Sequence, residues 1–179
     1  MNPNATGLCN LPQGLVSGTM GANSLCTNMN ASLETRKSRV LVVEDHDFLR
    51  EGIVRLLNLQ SDLACCGQAN SMATGVAAVL AQKPELMLVD IRLPDGDGLQ
   101  LIEFLRPLFP NLMILVLSQL DEVSVARKAL AIGANGYVIK QQASEMLNAI
   151  RELLRGRTYV SKELAGRMAP AVPAILYPA

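Results

Sequence analysis

The sequence has no tryptophan, three tyrosines and three phenylalanines among its 179 residues. A surface that stacks nucleic-acid bases needs aromatic faces, so this composition argues against a single-strand binding platform. A single histidine nearly excludes a histidine-based metal centre. Four cysteines do not make a disulfide scaffold in a chain of this length, and their spacing follows no zinc pattern. Cys65 and Cys66 are adjacent inside an apolar run. In a strand they would point to opposite faces as small core residues. This cysteine usage fits a reducing, cytoplasmic setting. Neither sign of charge is in excess, with 16 Lys and Arg against 16 Asp and Glu. That balance argues against a wholly basic nucleic-acid binder and against a disordered polyanion. No apolar run is long enough for a membrane-spanning helix. The polar start Met1-Asn2-Pro3-Asn4 predicts no secretory signal.

Half of the residues are hydrophobic, which is ample for a core. Residues 1–38 are rich in Asn, Ser, Gly and Thr without periodicity, and read as a disordered extension. From Arg39 the pattern changes. Val40–Val43 is a short, β-branched apolar run of the kind buried in parallel sheets. Phe48, Ile53, Leu56 and Leu57 follow at roughly helical spacing. Leu63–Ala69 reads as a second strand, and Met72, Val76, Val79 and Leu80 as one face of a second helix that Pro84 closes. Leu86–Val89 is a third strand ending at Asp90. Leu99, Ile102 and Leu105 mark a helix stopped before Pro107, and Leu112–Leu117 a fourth strand. Val123, Ala126 and Leu130 precede Gly133, and Tyr137–Ile139 is a fifth strand. Met146, Leu147, Ile150, Leu153 and Leu154 form a strong last helix that ends near Gly156. Five strand–helix units in strict alternation imply an α/β fold, a five-stranded parallel sheet with helices on both faces. Residues 157–179 read as a short linker or loose tail with room for one short helix over Arg157–Met168, punctuated by Pro170, Pro173 and Pro178.

Ligands of an open parallel sheet bind beyond the carboxyl ends of its strands, so the polar residues there carry the information. They are Glu44, Asp45 and Asp47 after the first strand, Asp90 at the end of the third, Ser118 after the fourth and Lys140 after the fifth. Clustered carboxylates repel unless a cation joins them. Oxygen ligands without His or Cys favour a hard cation, Mg²⁺ above all. A carboxylate can also accept a phosphoryl group. The transferred group then needs charge neutralisation by a metal and a Lys, and a hydroxyl donor. Asp90, the neighbouring carboxylates, Lys140 and Ser118 supply each part. The pair Gly96 and Gly98 reads as loop geometry, since a dinucleotide fingerprint would follow the first strand. Ser118 with Asp121 also resembles a helix capping box, and His46 reads as a loop residue.

These residues resemble a known family. Glu44-Asp45, the run Leu88-Val89-Asp90-Ile91-Arg92-Leu93-Pro94-Asp95-Gly96-Asp97-Gly98, Ser118, Tyr137 and Lys140 are similar to the receiver domain of two-component response regulators. The resemblance spans residues 39–156. The stretch Glu44-Asp45-His46-Asp47-Phe48-Leu49-Arg50-Glu51-Gly52 looks like the subfamily that usually carries a LuxR-type helix-turn-helix. The resemblance implies a flavodoxin-like receiver fold with strand order 2-1-3-4-5. It implies that Asp90 is the phosphoacceptor. Glu44, Asp45, Asp90 and the backbone carbonyl of Arg92 would hold Mg²⁺. Lys140 would pair with the phosphoryl group, Ser118 would donate to it, and Tyr137 would be an aromatic switch. The implied partner is a sensor histidine kinase or phosphotransfer protein, with homodimerisation one outcome of phosphorylation. Such a protein signals, and catalyses only its own phosphorylation and dephosphorylation.

Three departures stand out. Glu44 replaces a more usual Asp, and Gln141 replaces a Pro after the Lys. A helix-turn-helix module needs roughly 60 residues, which the segment after Gly156 does not offer. Residues 39–156 hold 11 Lys and Arg against 14 Asp and Glu, a net of −3. No specific duplex DNA binding by this chain alone is therefore expected. One alternative is the regulatory half of a DNA-binding transcriptional regulator whose output domain is missing. Another is a hydrolase-like phosphotransferase of similar topology, disfavoured because Arg92 stands where a second Asp would be needed.

Overall fold

A computed structural model describes residues 36–119, 122–140 and 143–168. The expectations for residues 1–35, Asp121, Gln141 and residues 169–179 fall outside them. The elements are β1 (Ser38–Val43), α1 (Asp47–Asn58), β2 (Leu63–Ala69), α2 (Met72–Gln82) and β3 (Leu86–Asp90). A hairpin of β4 (Arg92–Leu93) and β5 (Gly96–Asp97) leads into α3 (Gly98–Leu105). There follow β6 (Met113–Ser118), α4 (Val123–Ala131), β7 (Gly136–Ile139), α5 (Ala143–Leu154), β8 (Tyr159–Val160) and α6 (Lys162–Met168).

The main sheet runs β2-β1-β3-β6-β7-β8, with every neighbouring pair parallel. Strand side chains alternate between faces, and the core divides accordingly. Val40, Val42, Leu86, Leu88, Leu115 and Leu117 pack on one face with Ile53 and Leu57 of α1 and with Met146, Ile150 and Leu153 of α5. Leu41, Val43, Met87, Val89, Ile114 and Val116 pack on the other with α2, α3 and α4. Both faces of the central strands are covered, which is why those strands read as unbroken apolar runs. Cys65 joins the first layer and Cys66 the second, each half-buried, as adjacent strand positions require. The register of β1 against β2 slips beside them, where Val40 faces Cys65 and Leu41 faces Gly67.

Helix ends are fixed by local chemistry. Ser71 and Thr74 form a capping box at the start of α2, and Lys83 closes that helix in a left-handed conformation just before Pro84. Asp97 and Gln100 form the equivalent box for α3. The capping role expected of Ser118 and Asp121 is not taken by Ser118: the N-cap of α4 is Glu122. Ser118 belongs to the ladder of β6, opposite Ile139.

The sheet has a sixth strand where the sequence predicts five, and the short helix expected within Arg157–Met168 is present as α6. Gly156, at φ 78°, turns the chain back after α5. Tyr159 and Val160 then pair with Gly136 and Tyr137. Ser161 extends the link: its amide donates to the Tyr137 carbonyl at 3.0 Å, and its Oγ accepts from the Ile139 amide at 3.1 Å. Leu164, Ala165 and Met168 of α6 are buried in the layer that holds α4, and Arg127 of α4 donates to the Met168 carbonyl at 3.0 Å. Burial of a side chain such as Leu164 or Met168 contributes about 1.5–3 kcal/mol. At the amino-terminal end of β7 Arg106 donates to the carbonyls of Pro110 and Gly133 and to Asn135 Oδ1, pinning the loop that leads into that strand.

Candidate functional site

A polar cleft of about 260 Å³ opens beyond the carboxyl ends of β1, β3 and β6. It is lined by Glu44, Asp45, His46, Asp90, Arg92, Ser118 and Gln119. The strands deliver these residues in a physically simple way. Each strand interior is buried and apolar, so its first polar residue emerges where the sheet ends. Glu44 follows β1, Asp90 ends β3, Ser118 ends β6 and Lys140 follows β7.

The Lys140 ammonium lies 2.6 Å from Glu44 Oε2 and 2.9 Å from Asp90 Oδ2. All three groups are sequestered: Glu44 is 2% exposed, Asp90 8% and the Lys140 side chain 7%. The other Asp90 oxygen accepts from the Ile91 amide at 2.7 Å. Glu44 Oε1 accepts a long bond from the His46 amide at 3.4 Å. Burial pushes the Glu44 carboxyl above the usual carboxylate range. The Lys140 bond and charge pull it back, while the Asp90 charge raises it. The Lys140 amide donates to the Ser118 carbonyl at 2.7 Å, which ties the lysine's backbone to the end of β6.

Glu44, Asp45 and Asp90 each present a carboxylate oxygen within 4.8 Å of the others. Asp45 is exposed and Asp90 is buried, so the cluster spans the cleft from its mouth to its floor. Three carboxylates against one ammonium leave the cluster two negative charges in excess when all are ionised. An all-oxygen donor set with that surplus fits Mg²⁺, which takes one or two carboxylates and completes its shell with waters and phosphate oxygens.

The backbone around Asp90 is built for close approach. The Gly98 amide donates to the Ile91 carbonyl at 2.7 Å. A Cβ at Gly98 would stand 2.0 Å from the Asp90 carbonyl oxygen, so only glycine fits. The hairpin turn between is held from outside. Asp95 accepts from the Met72 and Ala73 amides at 2.6 and 2.9 Å, at the N-terminus of α2. Those donors hold the Asp95 carboxyl below its usual range.

The cleft brings together Glu44, Asp45, Asp90, Arg92 and Ser118, with Lys140 bonded across it. Tyr137 is not among its lining residues. Its side chain is fully buried in the layer shared with α4 and α6. Sequence reasoning missed Arg50, whose guanidinium donates to the Glu44 carbonyl at 2.7 Å and contacts Asp47. The three-residue spacing of Asp47 and Arg50 on one helix was the available signal. It also missed Asp95, whose partners lie more than 20 residues away and leave no local pattern, and Gln119.

Comparison with known proteins agrees with this geometry. Residues 40–151 match the family model described as the response regulator receiver domain. The DNA-binding transcriptional activator DevR/DosR of Mycobacterium tuberculosis is 33% identical over 131 residues, covering 73% of this chain and 60% of that protein. Response regulator GacA of Pseudomonas viridiflava is 33% identical over 132 residues, covering 73% and 62%. The chain thus spans about three-fifths of the length of these relatives. The signal receiver domain of the putative response regulator NarL from M. tuberculosis is 33% identical, with a TM-score of 0.65, covering 68% of this chain and 98% of that one. A LuxR-family two-component response regulator from an Aurantimonas species superposes with a TM-score of 0.72 at 27% identity, covering 75% and 96%. A parallel sheet that gathers an acidic cluster and a lysine at its carboxyl edge, and a family match over most of the described residues, lead to one conclusion: the chain belongs to the receiver-domain family of two-component response regulators.

Proposed function

We propose that this receiver takes a phosphoryl group onto Asp90 from a sensor histidine kinase or a phosphotransfer protein. The observation that carries the reading is the Lys140 ammonium, in contact with both Asp90 and Glu44 beside a cleft lined by three carboxylates. An Asp90 oxygen attacks phosphorus. The O–P bond forms as the donor's P–N bond breaks, and the imidazole leaves. Lys140 neutralises charge on the incoming group, and Ser118 offers a hydroxyl to its oxygens. Glu44, Asp45, Asp90 and the Arg92 backbone carbonyl would hold Mg²⁺, which supplies further neutralisation when bound. Glu44 would face the cation when it is held there, and the Lys140 ammonium would then serve the phosphoryl oxygens. Tyr137 is the switch: it lies one residue from Val138 on the strand that delivers Lys140, under β8 and α6.

The donor reaches Asp90 through the mouth of the cleft. Beside it, an apolar hollow between α1 and α5 is lined by Phe48, Leu49, Leu56, Val138 and Met146, and also by Lys140. Phe48 is 88% exposed. We assign this hollow to the phosphodonor protein, because it adjoins the ion-pair partner of Asp90. The protein acts in the cytoplasm, dimerises with itself on phosphorylation, and catalyses only its own phosphorylation and dephosphorylation. Among the described residues no helix is long and apolar enough to cross a membrane. A second reading, the regulatory half of a DNA-binding regulator, is favoured by one finding: the chain spans about three-fifths of the length of relatives named as a DNA-binding transcriptional activator and a probable transcriptional regulatory protein. On either reading this chain alone binds no specific DNA site.

The test is incubation with acetyl phosphate and Mg²⁺, read by intact mass. The wild type should gain one phosphoryl group and Asp90→Asn none. Equal modification of both would sink the assignment.

A further inference from the structure

Arg50 sits in the first turns of α1, outside the cleft, yet its side chain is only 14% exposed. Its guanidinium folds back beneath the segment that carries the acidic pair. Nη1 donates to the Glu44 carbonyl at 2.7 Å and to the Asp45 carbonyl at 3.4 Å. Nη2 is bonded to the Asp47 carboxylate, and the Arg50 amide donates to the His46 carbonyl at 2.9 Å. The same segment is fixed from the other side, where the Glu44 amide donates to the Ala69 carbonyl at 3.0 Å. The Glu44 residue is therefore held at both its N–H and its C=O. With the backbone fixed, the direction in which each side chain leaves it is fixed too.

We propose that Arg50 is a positioning residue for the cation site: one arm of its planar fork, Nη1, holds the carbonyls of Glu44 and Asp45 while the other is anchored on Asp47, so that the Glu44 and Asp45 carboxylates converge with that of Asp90. The proposal rests on the cation-site reading above. It separates cleanly from a simple charge effect. A positive charge near the acidic loop would repel a cation, so removal of Arg50 for its charge alone would tighten Mg²⁺ binding. Removal of a clamp loosens the ligands and weakens binding. The two accounts predict opposite signs. Asp47 already offsets much of the Arg50 charge, which leaves the clamp as the larger effect.

The experiment is a Mg²⁺ titration of the full chain, followed by NMR at the amides of residues 44–47 and 90–92. Arg50→Met should raise the Mg²⁺ dissociation constant about tenfold, the range seen when an outer partner of a metal ligand is lost. Without metal, hydrogen exchange at residues 45–47 should speed up in the variant. Arg50→Lys keeps the charge and loses the fork, so it should fall between the two. Arg55→Met, on the exposed side of the same helix, should match wild type. Unchanged or tighter Mg²⁺ binding by Arg50→Met overturns the proposal. If that variant does not fold, Arg50→Lys decides, and wild-type affinity and exchange in it overturn the proposal. A wild-type protein whose amides at 44–47 and 90–92 do not respond to Mg²⁺ would instead remove the cation site itself, and the clamp with it.

Discussion

Lys140→Met keeps the length of the side chain and removes its charge. In the wild type that charge lies 2.6 Å from Glu44 and 2.9 Å from Asp90. Removing one partner of a buried ion pair costs about 3–5 kcal/mol if the charge left behind must stay ionised. Glu44 has another course, which is to take up a proton. Its ordinary pKa is 4.5. Protonating such a carboxyl costs about 1.36 kcal/mol per pH unit above that value, hence about 3.4 kcal/mol at pH 7 and about 0.7 kcal/mol at pH 5. These figures set a ceiling on the Glu44 share of the penalty. Burial already holds the Glu44 carboxyl above its ordinary value against the pull of Lys140, and loss of Lys140 moves it further up. A carboxyl whose folded pKa exceeds its unfolded one binds more protons when folded, so stability falls as pH rises through that window. The deficit of the variant should therefore grow with pH, from about 1 kcal/mol at pH 5 to about 2–3 kcal/mol at pH 7. Urea unfolding of both proteins in chelator-treated buffer across that range measures it. A deficit that is flat with pH, or below about 0.5 kcal/mol at pH 7, would refute the reasoning.

Three further outcomes follow from the geometry. Gly98→Ala places a Cβ 2.0 Å from the Asp90 carbonyl oxygen and should lower stability by about 3 kcal/mol, at the upper end for overpacking; an unchanged urea midpoint would contradict the close approach. Asp95→Ala should speed hydrogen exchange at Met72 and Ala73. Because the carboxyl of Asp95 is held below its usual value, that protection is present above the unfolded pKa and fades as pH falls through the folded one, so wild type and variant should converge in acid. Leu164→Ala removes a fully buried side chain and should cost about 2–5 kcal/mol by denaturant titration; a cost near zero would mean that α6 is not part of the core.

The site was legible because a parallel sheet hides both faces of its strands. A polar residue directly after Val40–Val43 or Leu86–Val89 must emerge at the ligand edge, and Glu44 and Asp90 do. The same rule placed Ser118 and Lys140. It could not place Tyr137, because alternation tells which face a strand residue takes but not whether an aromatic ring lies inward or at the surface. The ring is inward, under a layer that includes α6. Arg50 and Asp95 escaped notice for a related reason. Both act on backbone carbonyls or amides, which every residue carries, so their partners have no signature in the sequence.

In the segment after Gly156 the short helix expected within Arg157–Met168 is present as α6, but the strand β8 before it and the docking of both on the domain were not legible. Two residues of strand and seven of helix are too short for periodicity to separate from noise, and glycine followed by charge reads as a stop. What decides its place is a surface far away in the chain. Without β8, the outer side of β7 would be an open edge of the sheet. Val160, Leu164 and Met168 are apolar at the positions that cover that edge and the neighbouring flank of α4. Tyr137 gives its carbonyl to Ser161, and Ser161 begins the turn into α6 through its own bond to Ala165. Two hydrogen bonds through Ser161 thus connect the strand that carries Lys140 to the first turn of α6. The strand that delivers the lysine to the cleft is hydrogen-bonded, on the side away from β6, to β8, and β8 runs on into α6.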